Sequence, residues 1–101
     1  MTGIFEATYD CFAIEQITID GTNQGLTVPA GAEIALIQAD EDIRKLQNPT
    51  ANTDLSSSVG IKIFAGKIFQ VSGADDLRNL RMTQVTTGGA CIVEYYKKRV
   101  G

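Results

Sequence analysis

Ile61-Lys62-Ile63-Phe64, Ala65-Gly66, Lys67-Ile68-Phe69-Gln70-Val71 is the stretch on which the fold turns. Two short β-rich runs flank a small glycine turn, a strong strand signal in a single sequence. The pattern repeats downstream, where Leu80 to Thr86 and Ala90 to Lys97 flank Thr87-Gly88-Gly89. Val59 to Tyr96 therefore reads as strand, tight turn, strand, loop, strand, tight turn, strand, with the glycines in hairpin turns. The polar crossing Gly73-Ala74-Asp75-Asp76-Leu77-Arg78-Asn79 is expected to drop Leu77 and Leu80 into the core. In the last strand Cys91, Val93 and Tyr95 face one way, and Ile92, Glu94 and Tyr96 the other.

Upstream, Tyr9 and Cys11 continue an alternation begun by Phe5 and Ala7, with Glu6, Thr8 and Asp10 between them. The phase then slips, because Phe12 and Ile14 are apolar while Ile17 and Ile19 share a face with Glu15. A one-residue slip turns every side chain over, so a bulge or break is expected near Glu15-Gln16. Asp20 to Gly25 has loop composition. Leu26-Thr27-Val28 leads through Pro29-Ala30-Gly31 into Glu33 to Ala39, apolar on both faces and read as a central strand covered on both sides. The run from Thr27 to Ile34 and the run from Ile63 to Phe69 both place Ala-Gly between an apolar strand end and the next strand, which suggests two comparable halves. Asp40 to Leu46 has acidic residues before basic ones, as a short helix would, but it is brief and its surroundings favour a strand. Gln47 to Ser58 is the longest stretch without structure, either a solvated loop or a binding arm that would use Asn48, Thr50 and Asn52.

The fold expected from these runs is all-β: a single domain over residues 1–101, a small two-sheet antiparallel β-sandwich, jelly-roll-like, of about eight strands. A length of 101 residues bounds it to one modest core, and a hydrophobic content of 44% is ordinary for a globular chain. The formal charge of −3 gives no basic footprint for nucleic acid. No run approaches the length of a membrane helix, and the opening residues lack the basic start and apolar core of a secretory signal. The chain is thus expected in a thiol-reducing cytosol; Cys11 and Cys91 could pair only if the first and last strands meet with suitable geometry, and are otherwise free, buried, small hydrophobes.

Chemistry is sparse. There is no histidine, so neither cysteine has an imidazole partner. Ser56-Ser57-Ser58 lacks the glycines of a nucleophile elbow, and no glycine loop opens onto a helix to cradle phosphate. Asp40-Glu41-Asp42 and Asp75-Asp76 lack the spacing of a calcium loop and read as turn carboxylates. A pair of glycosidase carboxylates would meet only in space, and there is no tryptophan to stack a sugar. No enzyme, cofactor, metal or small-molecule substrate is expected. The closing Tyr95, Tyr96, Lys97, Lys98 and Arg99 mix aromatic and basic residues and form the candidate protein-contact strip. Against that, Tyr95 would close the core and three cations would keep a strand end hydrated.

Leu26 to Ile37, Asp42-Ile43-Arg44, Asn48-Pro49-Thr50 with Ser58-Val59-Gly60, Ile63 to Phe69, Leu80-Arg81-Met82 and Val93-Glu94-Tyr95-Tyr96 together resemble the small β-sandwich proteins found among the virion structural proteins of tailed bacteriophages. The resemblance spans residues 26–96. The first 25 residues have no counterpart in it and are read as added strands or an attachment arm. It implies a capsid decoration (cement) protein, made in the host cytoplasm and carried in the virion, bound to the major capsid protein or other virion proteins. A symmetric oligomer such as a trimer would cover the strand edges. The alternatives are a tail or fibre accessory, or a free-standing module that binds carbohydrate or a host protein.

Overall fold

Cys91, Val93 and Tyr95 are each at most 1% exposed, so the last strand does turn one set of alternate side chains into a core. In the computed structural model, residues 8–47 and 55–99 are described. Eight strands follow in order: β1 (Tyr9–Ile19), β2 (Gln24–Gly25), β3 (Ile34–Ala39), β4 (Ile43–Leu46), β5 (Ile61–Ile63), β6 (Ile68–Ser72), β7 (Arg81–Gln84) and β8 (Gly89–Lys98). One short helix, α1 (Ala74–Asn79), lies between β6 and β7. The strands form two antiparallel sheets, ordered β1-β8-β3-β6 and β2-β7-β4-β5. Ile17, Ile19, Ala35, Ile37, Ile43, Val71, Leu77, Leu80, Met82 and Val93 fill the space between them. No described helix is long and apolar enough to cross a membrane.

This is the two-sheet, eight-strand jelly roll. β1 pairs with β8, β2 with β7, β3 with β6 and β4 with β5, as in one long antiparallel ribbon rolled on itself. The contacts β3–β8 and β4–β7 close the roll.

The rolling overturns the two expected hairpins. Ala65-Gly66 does not fold β6 back on β5, because β5 belongs to one sheet and β6 to the other, and Thr87-Gly88-Gly89 likewise carries the chain from β7 across to β8. These are sheet-crossing turns. At the first, Lys67 N–H donates to Phe64 O at 3.1 Å and Gly66 has φ of 82°, the positive value that the third position of a type II turn demands. At the second, the backbones come too close for a side chain: a Cβ on Gly88 would lie 2.3 Å from Ile19 O.

Three local expectations also change. The bulge falls between Cys11 and Ala13, with Phe12 the extra residue, and not at Glu15-Gln16. From Ala13 to Ile19 the alternation is unbroken, because Glu15 faces inward and is satisfied there. Second, the bulge turns Cys11 outward, so this thiol is exposed; only Cys91 is buried, and both are free. Third, Ala74–Asn79 is helical, although it still delivers Leu77 and Leu80 to the core at 0% exposure. Ile43–Leu46 is a strand, as its surroundings suggested. Within residues 1–25, the described part supplies β1 and β2.

Candidate interaction surface

Alternation that buries one side of the β1-β8-β3-β6 sheet must present the other. Register places Gln16, Ile92, Gln38 and Ile68 in one row across the four strands, and Ile14, Glu94, Leu36 and Gln70 in the next. Ile14 is 73% exposed, Ile68 65% and Ile92 47%. A shallow groove of about 230 Å³ lies between Ile68 and Ile92, lined also by Leu36, Ile37, Gln38 and Glu94. β3 is therefore interior, as its apolar character implies, but the described residues cover it on one side only. Scattered exposed isoleucines are ordinary; here Ile14, Ile92, Leu36 and Ile68 occupy successive strands across two adjacent rows, interleaved with amides and one carboxylate, and such a grouping marks a contact surface.

The C-terminal strip divides. Tyr95 points into the core at 1% exposure, and its hydroxyl donates to Glu15 Oε1 at 2.5 Å. The same oxygen accepts Thr27 N–H at 3.1 Å, tying β1, β8 and the β2–β3 connection together. Burial, reinforced by the Glu15 carboxylate, pushes the phenol well above its usual range. Tyr96 lies on the opposite side, yet is only 5% exposed, with its hydroxyl on Glu94 Oε1 at 3.0 Å. Burial withdraws both rings from the expected contact strip. Lys97 lies over the Phe12 ring, 5.1 Å from its centroid. Arg99 donates from Nε and Nη2 to Asp10 Oδ1 at 3.0 and 2.9 Å. Lys98 is exposed. The cations thus fasten the end of β8 to β1 as well as facing solvent.

Asn48, Thr50 and Asn52 lie outside the described residues. The described end of their loop is anchored. Leu55 is buried, Ser56 and Val59 exchange backbone hydrogen bonds of 3.0 and 3.3 Å, and Arg44 donates to Gly60 O at 2.9 Å.

The acidic turns hold the scaffold. Asp40 Oδ1 accepts Ala90 N–H and Asp42 Oδ1 accepts Ala65 N–H, each at 2.8 Å, so each carboxylate fixes one of the glycine crossings. Asp75 is paired with Arg78. Hydrogen bonds from the Thr22 hydroxyl and amide hold the Asp20 carboxyl below its ordinary range. No group of three or more metal-ligating side chains occurs among the described residues.

The outer face could have been approached from sequence, since Ile92 and Glu94 were placed opposite the core. Period 2 reports which side a residue takes, but not that three of the four strands bring outward isoleucines to one face. Comparison of the chain with models of known protein families, with curated proteins and with solved structures finds no match.

Proposed function

We propose that the chain is a structural component of a tailed-bacteriophage virion, a decoration protein that cements the head by binding the capsid lattice. The observation that carries this reading is the outer face of the β1-β8-β3-β6 sheet, where Ile14, Ile68 and Ile92 stand exposed around a half-buried Leu36. The jelly roll supports it as an architecture that serves in viral capsids, although it serves elsewhere too. Burying an exposed isoleucine contributes about 1.5–3 kcal/mol. Attachment through three such side chains per copy is modest alone and firm when repeated over a lattice. Lys97, Lys98 and Arg99 would lie at the polar rim of that contact.

The test is whether the tagged chain co-purifies with particles, and whether labelled electron microscopy finds it on heads. Ile68→Lys with Ile92→Lys should leave the far-ultraviolet spectrum unchanged and abolish attachment. Label on tails would move the address to a tail or fibre accessory. Absence from particles together with saturable glycan binding would replace the reading with a carbohydrate-binding module.

A further inference from the structure

A two-sheet sandwich has four strand edges, and three of these carry features that discourage pairing. β1 has its bulge at Phe12 and an inward-facing Glu15. β2 is two residues long, and β5 is three, with Lys62 at its centre. Bulges, inward charges, lysines and brevity are the usual defences of an edge. β6 has none of them. Ile68-Phe69-Gln70-Val71-Ser72 is five residues without charge, proline or bulge, in unbroken register with β3.

The direction of its backbone groups follows from parity. Gly73 N–H donates to Glu33 O at 2.7 Å, across the same register that pairs Val71 with Ala35 and Phe69 with Ile37. Alternate residues of an antiparallel strand exchange bonds with the same neighbour. Val71 and Phe69 therefore bond toward β3, while Ile68, Gln70 and Ser72 direct N–H and C=O at the open edge. No described strand pairs with that edge. Four of the six large hydrophobics left exposed among the described residues, Val59, Ile61, Phe64 and Ile68, belong to β5, β6 or the turns beside them.

We propose that this edge is a self-association site, at which β6 pairs antiparallel with β6 of a second copy about a twofold axis at Gln70. The register is self-complementary. Gln70 meets Gln70 of the second copy, Ile68 meets Ser72, and on the inner side Phe69 meets Val71, with no charge opposed to a like charge. Three outward N–H groups on each copy make six backbone bonds across the axis. An isologous contact of this kind closes at two copies. It joins two four-stranded sheets into one of eight strands, with both outer isoleucine faces on the same side. It stands apart from virion attachment: a chain absent from particles would still dimerise.

The experiment is sedimentation equilibrium of the full chain from micromolar to millimolar concentration. The apparent mass should rise from that of one chain, 10.9 kDa, to twice that value. Gln70→Pro removes one outward N–H and leaves the bonds to β3 intact, as proline is tolerated on an edge. It should raise the dissociation constant at least about tenfold, with the circular dichroism spectrum unchanged. Should that variant not fold, Gln70→Lys sets two like charges across the axis and should have the same effect. A wild-type mass that stays at one chain through millimolar concentration overturns the proposal. So does a trimer, or a dimer that persists undiminished in a folded Gln70 variant.

Discussion

Replacing Tyr95 with phenylalanine removes one oxygen from the centre of the fold while keeping the ring that fills it. The hydroxyl lies 2.5 Å from Glu15 Oε1, a length typical of a bond to an ionised carboxylate. Such a bond contributes about 1.5–3 kcal/mol. Glu15 is half-buried and keeps its bond from Thr27 N–H, so water can satisfy part of what Tyr95→Phe leaves. The lower part of the range, about 2 kcal/mol, is the expected loss. A domain of this size shifts by about 4–8 °C per kcal/mol, so the midpoint of thermal unfolding should fall by about 10 °C. A double-mutant cycle with Glu15→Gln isolates the pair: the glutamine oxygen still accepts, without charge, so the two losses should be less than additive. The native phenol is also held above its ordinary pKa. A group whose folded pKa is raised stabilises the fold below its unfolded pKa and loses that contribution as pH rises, here beginning near pH 10. Tyr95→Phe should flatten this alkaline decline. A Tyr95→Phe variant within about 0.5 kcal/mol of wild type in urea unfolding, with additive Glu15→Gln behaviour, would refute the reasoning.

Burial pushes the Cys91 thiol up to about 11, so the unfolded chain ionises it first; stability should fall by about 2 kcal/mol between pH 9 and 11. Cys91→Val should remove that decline in pH-dependent denaturation, and native-state thiol labelling should modify Cys11 before Cys91. Gly88→Ala drives a methyl group against the Ile19 carbonyl, which cannot move without breaking the β1–β8 register; a loss of about 3 kcal/mol is expected in urea unfolding. Gly31→Ala and Gly66→Ala meet no atom within 4 Å, so each should lose only the cost of positive φ, about 1–2 kcal/mol, and the two losses should agree. Millimolar calcium should leave the thermal midpoint unchanged, since Asp40 and Asp42 are each bonded to a backbone amide.

The strands were legible because alternation is a local signal: Cys91, Val93 and Tyr95 announce a buried side whatever lies opposite them. Pairing was not legible, because a glycine turn that reverses the chain within one sheet and one that carries it to the other use the same residues. Ala65-Gly66 is of the second kind. The position of the bulge was obscured by Glu15, a charged residue that reads as outward until its bond to Tyr95 is known. In the contact strip, parity alone sends Tyr95 and Tyr96 to opposite sides, so one ring had to leave it. The burial of Tyr96 depends on neighbours in other strands, which spacing along one strand does not report.

The repeated Ala-Gly shows what local sequence can carry about the whole. Pro29-Ala30-Gly31-Ala32 and Phe64-Ala65-Gly66-Lys67 each close with an N–H to O bond of 3.1 Å between first and fourth residues, and their glycines have φ of 87° and 82°. Both turns deliver the chain from the β2-β7-β4-β5 sheet to the other, one into β3 and one into β6. Those two strands are antiparallel partners, so the turns enter opposite ends of one ladder, ahead of Ile34 and Ile68. A ribbon rolled on itself meets the same corner twice, once from each arm, and a type II turn solves it both times. The likeness of the two halves is thus a consequence of the roll, and it exists only because β3 and β6 are neighbours. With β6 bonded to β3 on one side and to no described strand on the other, that second corner also places Ile68 at the rim of the outer face.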